Sequence, residues 1–520
     1  MPRELPDHPN LEQLKKQAKS LLHAARDGDH AALRRFGELP AFATALDPGA
    51  LALHDAQSVI AREHGFPSWN ALRDEVEARM LSLDQAVGEF IRAATAGASG
   101  RAQRLLALHP AIRTANFHTA LVLGDAAAVE PRLRERAQLA LEPAGPMQWT
   151  PLLYVCHTCL HRDESARSGL VAIARTLLAL GANPNDEYHW NWHPELPRTA
   201  LWGALITMQH IPLATLLLES GATPTDGVSP HIAAGSGNVA ALELLHRHGM
   251  NPNGIPGGVP PLVYCLTFAE DPSGPRWLLE HGADPNLAWG PEGEAPLHVA
   301  ARRWDRAMIE LLVRHGAEPM LRRADGYTPH TIAEIYGNHD GASWLLAHGA
   351  TDLLSPLERF IAACARADGE AADAMLHAHP GLTTELRDAH HRMLHRPAET
   401  GNARVLETML ARGFDPAVTD KDGVTPLHRA AMGGHPEAVK ILLQFGAPKG
   451  ALDGMFAAPP IVWAVEGRNH AQPGTDHVAV ARVLMAAGSP VHWTPPSGAP
   501  GPERTLDGLS DLTRAASLPS

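Results

Sequence analysis

Over residues 422–447, DGVTPLHRAAMGGHPEAVKILLQFGA, the apolar positions follow the 3.6-residue rhythm of two short helices separated by a glycine turn. Thr425 and Pro426 open the first helix: a hydroxyl that can accept from free backbone N–H groups, then a residue with no N–H to lose at the first helical position. Ala430 and Ala431 give that helix a face without bulk, and Gly434 ends it where a left-handed backbone costs little. Val439, Leu442 and Leu443, spaced by three and one, then form an apolar stripe on a second helix predicted over Pro436 to Gln444. A helix pair this short cannot close a core by itself, so it needs neighbours.

The neighbours are in the sequence. Copies of the unit start at Gly88, Ala115, Thr150, Thr199, Val228, Pro260, Ala295, Thr328, Glu358, Arg392, Thr425 and Pro459, a period of about 33 residues. Their ends are as regular as their starts: LGANPN at 180–185, HGMNPN at 248–253 and HGADPN at 281–286. Glycine after the helix, then Asn or Asp and Pro, is turn chemistry leading into an extended finger.

With G-x-T-P-L-H-x-A-A-x-x-G-H and L-L-x-x-G-A-D-x-N in view, the chain resembles ankyrin-repeat proteins. The match is most specific at 422–447 and 293–319, and the pattern extends over roughly residues 83–493. The resemblance implies an all-α fold, a solenoid of stacked antiparallel helix pairs with projecting hairpin or loop fingers. It also implies binding of a protein partner on the concave face and finger tips, with no reaction and no cofactor.

Residues 1–82 lie outside the register. Asn10 caps an amphipathic pattern that runs on from Leu11, and Ala56 to Glu63 and Trp69 to Met80 predict two more helices. This segment resembles the helical one ahead of bacterial ankyrin arrays and is expected to cap the first repeat. Phe90 and His109-Pro110 reappear 270 residues later as Phe360 and His379-Pro380. The repeats over 83–350 are therefore followed, over 353–493, by a second stack or by a continuation of the first. The tail 494–520, opening with TPPSGAPGPERT, is expected to be disordered.

Composition narrows the function classes. Fifty-seven acidic against 44 basic residues, a formal charge of −13, argue against a nucleic-acid partner. Four cysteines make no disulfide framework, and no apolar run is long enough for a membrane span, so a cytoplasmic protein is expected. P-loop, HExxH and EF-hand patterns are absent, and Gly235-Ser236-Gly237 falls where a first helix ends, reading as a turn.

Two features depart from the repeat. Cys156, Cys159 and His161 have metal-ligand spacing, yet Cys156 falls on the position of Ala431, which favours a small core residue over a zinc ligand. The unit from Thr150 to Thr199 also carries a lengthened finger holding Tyr188, Trp190 and Trp192. With Trp289 these are the candidate partner-binding residues, against the alternative that the rings pack back on the array. His118, His231, His298, His395 and His428 follow the motif's leucine position and are expected to tie adjacent loops. His248, His281, His315 and His348 precede the helix-ending glycine and are expected to cap locally. The function expected is a non-enzymatic scaffold or adaptor for another protein; the alternative is a metal-binding or enzymatic protein with its site in the 156–193 insertion.

Overall fold

The structure, a computed structural model, describes residues 3–6, 8–39, 47–49, 51–161, 164–190, 193–468, 473–491 and 493–494, followed by Thr505, Gly508, Leu509, Leu512, Thr513 and Ala516. It is helical apart from one hairpin and divides into two compact units: 1–233 with 238–254, and 234–237 with 255–520.

The first unit opens with α1 (Leu11–Arg26), α2 (His30–Gly37), α3 (Leu53–Glu63) and α4 (Trp69–Met80). Asn10 caps α1 as expected, its side-chain oxygen accepting from the Gln13 N–H at 3.1 Å. The helix α2 was not expected, because in eight residues it buries only Ala32 and Phe36, one turn apart. These helices close a core of their own around Leu14, Leu21, Phe36, Ile60, Leu72 and Val76. The repeats follow as α5 (Leu83–Thr95), α6 (Ser99–Leu108), α7 (Phe117–Leu123), α8 (Ala126–Glu135), α9 (Pro151–Cys156) and α10 (Glu164–Ala179). Next come the hairpin β1 (Glu187–Trp190) and β2 (His193–Thr199), then α11 (Ala200–Trp202), which runs on as a π turn to Thr207, and α12 (Ile211–Glu219). The series continues with α13 (Ser229–Gly235) and α14 (Val239–Arg247).

In the second unit, α15 (Pro261–Phe268) and α16 (Ser273–Glu280), α17 (Pro296–Arg303) and α18 (Arg306–Arg314), and α19 (Pro329–Ile335) and α20 (His339–Ala347) are regular pairs. They are followed by α21 (Pro356–Ala365), α22 (Gly369–Ala378), α23 (Asp388–His391), α24 (His395–Glu399) and α25 (Ala403–Leu410). The chain then forms α26 (Pro426–Gly433), α27 (Pro436–Gln444), α28 (Pro460–Arg468) and α29 (His477–Ala486). The first helices pack in a row from α15 to α21 and again from α24 to α28. Between the two rows close packing lapses, and α21 rests on α25 instead.

After His379-Pro380 the chain turns through a short 3₁₀ segment, Leu382–Glu385, where other units extend a finger. His109-Pro110 does the same before Pro110–Thr114 in the first unit, so the 270-residue internal likeness is structural as well.

Asparagines fasten successive turns. The Asn286 side chain donates to the Gly316 carbonyl at 2.8 Å and accepts from the Glu318 N–H at 2.8 Å. Asn185 does the same with Gly221 and Thr223. The N-P-N and D-P-N strings thus carry contacts between repeats as well as turns. The tail expected to be disordered lies largely outside the described residues. Among those that are described, Thr505, Leu509, Leu512 and Ala516 are buried, at a helical spacing of four and three, and the Thr505 hydroxyl donates to Glu466 at 2.6 Å.

Candidate functional site

The long finger is anchored by aromatics at its base. Thr150, the motif threonine, donates its hydroxyl to Asp186 at 2.7 Å, and Ala200 N–H returns to the Asp186 carbonyl at 2.8 Å. Across the hairpin Tyr188 pairs with Arg198. Tyr188 does not project: its ring stacks on Trp149 with centroids 4.2 Å apart and meets His157 edge-on at 5.1 Å. Trp202 stacks on His157 at 5.8 Å and carries the Arg198 guanidinium over its ring at 4.1 Å. Of the other finger candidates, Trp190 ends β1 and Trp192 lies outside the described residues. Trp289 is exposed, on a finger closed by its bridge to Glu294. Replacing Tyr188 by Ala should cost about 2 kcal/mol of stability in urea unfolding, while Tyr188→Phe stays near wild type, since the loss is of stacking area.

His157, which the sequence placed only inside a Cys-His string, is buried in this box and donates from Nε2 to the Thr199 carbonyl at 3.0 Å. Burial pulls its pKa down to about 4, opposed by the Thr199 carbonyl and assisted by the Arg198 charge.

The cysteines do not share a helix face: α9 ends at Cys156, so Cys159 lies beyond it. Cys156 is fully buried and burial pushes its thiol well above the ordinary range. The Cys159 sulfur is turned to the Ala93 carbonyl at 3.9 Å, and His161 Nδ1 to the Thr158 carbonyl at 3.0 Å. Among the described residues no group of three or more His, Cys, Asp or Glu is placed to hold a metal ion.

The periodic histidines tie loops. His428 Nδ1 accepts from the Thr425 N–H and faces its hydroxyl at 3.1 and 2.8 Å, which leaves Nε2 to donate to the Ala458 carbonyl at 3.1 Å. His298 repeats this with Ala295 and Leu321. His395 reaches the Arg392 and Val424 carbonyls, while His118 packs edge-on against Tyr154. In the second row, His248, His281 and His348 donate from Nδ1 to the carbonyl four residues back at 2.9, 2.7 and 2.8 Å. His281 and His348 also stack on Trp277 and Trp344.

One concave site was not read from the sequence. Where the row of first helices lapses, a cleft of about 490 Å³ opens among Tyr327, Ile335, Tyr336, Leu357, His390 and Met393. A smaller one, about 200 Å³, continues from Tyr336 and Met393 to Arg396 and Asn402. The larger floor is electrostatically knitted: Glu294 accepts from Arg302 at 2.9 Å and Arg323 at 3.1 Å, and Arg323 also holds Asp325 at 2.6 Å. His390 Nδ1 accepts from the Arg387 N–H at 3.1 Å, so its Nε2 donates to the Tyr327 oxygen at 3.3 Å. The Tyr327 hydroxyl hydrogen therefore remains to donate into the cleft, and with a pKa pushed up to about 12 by burial and by Glu358 and Asp325 the phenol keeps it. No single residue pattern signals this cleft, because its walls come from several units.

Capped antiparallel helix pairs, fastened turn to turn by asparagine side chains and carrying fingers, define a helical-repeat protein that presents surface and lacks a catalytic constellation among the residues just described. Residues 276–354 and 360–489 match the family model described as ankyrin repeats, three copies. Over those residues the chain carries ankyrin repeats. Among curated relatives it is 35% identical over 99 residues to ankyrin repeat and SOCS box protein 11 of Danio rerio, covering 19% of this chain and 33% of that protein. It is 28% identical over 179 residues to SH3 and multiple ankyrin repeat domains protein 2 of Homo sapiens, 33% of this chain and 10% of that one. It is 44% identical over 61 residues to the 2-5A-dependent ribonuclease of Homo sapiens, 12% and 8% of the two chains. The chain thus spans a third or less of the length of these relatives. The crystal structure of the human ASB11 ankyrin repeat domain aligns over 50% of this chain and 98% of that one at 20% identity, with a TM-score of 0.24, too low to bear on function. Ankyrin repeats are in general protein-interaction modules, and among the described residues no helix is long and apolar enough to cross a membrane.

Proposed function

We propose that the chain is a non-enzymatic scaffold or adaptor that holds another protein against its first helices and finger tips. The observation that carries this reading is where large apolar side chains stay in water. In the second unit Phe268 ends a first helix with 67% of its surface exposed, and Ile255, Trp289, Leu452 and Met455 stand exposed on fingers. Leu346, on a second helix, and Phe445, just past the end of another, are exposed to a lesser degree. Trp, Tyr and Arg anchors ringed by polar groups are the usual carriers of interface energy. In the first unit the same reading assigns partner contact to Trp190 and Trp192, with Tyr188 as the packed base of their finger.

Affinity capture on the immobilised full chain, followed by identification of what is retained, tests the reading directly. With the retained protein in hand, the double variant Trp190→Ala, Trp192→Ala should weaken its binding by at least about 2 kcal/mol, roughly thirtyfold. Unchanged affinity together with lower thermal stability would assign both rings to packing.

A further inference from the structure

Among the described residues α28 is the last of the first helices, yet it is buried around most of its circumference. Ile461, Val462, Ala464, Val465 and Gly467 are all covered, positions that one face of a helix cannot hold together. One side is taken by α26, and Gly467 lies so close that a Cβ there would overlap the Met432 carbonyl oxygen. A second side is taken by α29. Along the row from α15 to α21 the side left over receives the first helix of the next repeat. Here it receives the chain's own tail.

Thr505, Gly508, Leu509, Leu512, Thr513 and Ala516 are helical. Three contacts seat them on the last repeat. The Thr505 hydroxyl donates to Glu466 of α28 at 2.6 Å, and Arg482 of α29 donates from Nε to the Ala516 carbonyl at 3.1 Å. Between these two Gly508 crosses α28, where a Cβ would overlap the Val465 Cγ1 methyl. Leu509, Leu512 and Ala516, at one, four and eight residues past that glycine, are buried. Such a stripe is how an amphipathic helix lies in a groove. Residues 495–504, PPSGAPGPER, carry no large apolar side chain and so add no anchor of that kind to the helix. A short stripe on a tether is a contact that can exchange, because the tether, by raising its local concentration to about millimolar, does much of the holding.

We propose that α28 and α29 form a docking surface for an amphipathic helix, occupied in cis by residues 505–516 as a removable cap, and that this surface selects a glycine where the helix crosses Val465. The cap gives the last repeat the covered apolar face that a stacked array needs at its margin. It does not depend on the scaffold reading, since the occupant is a segment of the chain itself.

The test uses the full-length chain with Leu509→Asp and Leu512→Asp, which should empty the surface, and a fluorescein-labelled synthetic peptide of residues 503–518 followed by anisotropy. The peptide should bind the double variant, and bind the wild-type chain at least about tenfold more weakly, because there the tethered copy competes. A peptide with Gly508→Leu should bind the double variant at least about tenfold more weakly than the unaltered peptide. Trypsin cleavage after Arg514, which lies in sequence between the buried Leu512 and Ala516, should be at least about tenfold faster in the double variant than in the wild type. No binding to the double variant, equal affinity for variant and wild type, equal binding by the Gly508→Leu peptide, or unchanged cleavage would overturn the proposal. So would a loss of helical circular dichroism across the array in the double variant, since the tail would then be part of the core and not a removable cap. A chain that captures no protein sinks the scaffold reading and leaves these outcomes untouched.

Discussion

Gly169→Ala should destabilise the first unit by roughly 3 kcal/mol, although alanine is the better helix former. Gly169 lies inside α10, where that helix crosses the turn at Gly124. A Cβ there would overlap the Gly124 carbonyl oxygen, with the carbonyl carbon 3.0 Å away. The obstacle is backbone, so no rotamer change relieves it, and Gly124 is itself held at φ +69° by the helix end it forms. Either α10 lifts away or the turn rebuilds, and Leu170, Ile173 and Ala174, all buried, lose their packing with it. The contrast is Gly100→Ala in α6, where a Cβ meets nothing within 4 Å. There the substitution should be neutral or stabilising by up to about 1 kcal/mol. Urea midpoints for the two variants check both signs, and a Gly169→Ala protein as stable as the wild type would remove the close-approach argument.

Acid should unfold this protein in a window set by its histidines. His157, held to about 4 against an ordinary value near 6.5, refuses a proton that the unfolded chain accepts. Its contribution is complete above about pH 6.5, is lost as the pH falls towards 4, and amounts to about 3 kcal/mol once both limits are passed. His118, His210, His298, His330, His390, His428 and His435 are all shifted in the same direction, with burial the first cause in each, so the losses add within the same window. Carboxylates with lowered pKa values, such as Glu334 and Asp420, act below their ordinary range and give a separate, more acidic phase. Melting temperature measured from pH 8 to 4 should be flat at first and then fall steeply below about 6.5. His157→Gln should begin lower at pH 8 but fall less over the same range. Parallel curves for variant and wild type would show that His157 is not what titrates.

Much of the fold was legible because the repeat unit announces its own ends. Pro436 to Gln444, read from an apolar stripe between a proline and a glycine, is the helix observed, and Gly434 takes the left-handed cap at φ +70°. The reading slipped where a different device does the same work. At 358 the helix begins two residues earlier, at Pro356, because Ser355-Pro356 stands where other units have Thr-Pro and Glu358 closes the cap three residues on. In the tail, proline and glycine before Thr505 masked a helical spacing after it. The sites were less legible still. Tyr188 could be seen as conspicuous, but not that Trp149, far back in the sequence, was waiting for its ring. The residues walling the cleft at Tyr327, Tyr336 and His390 come from separate repeats, and only folding brings them together. Periodicity reports what every unit must do, and a site is where one unit is excused from doing it.

The four leading helices finish their own core by Val76, before the first repeat begins at Leu83. During synthesis that segment can therefore fold while the first repeat is still being made, and α4 then offers α6 a completed wall. Along the row from α15 to α21 each first helix likewise meets a predecessor already in place, so the unpaired apolar stripe exposed at any moment there is about one repeat long.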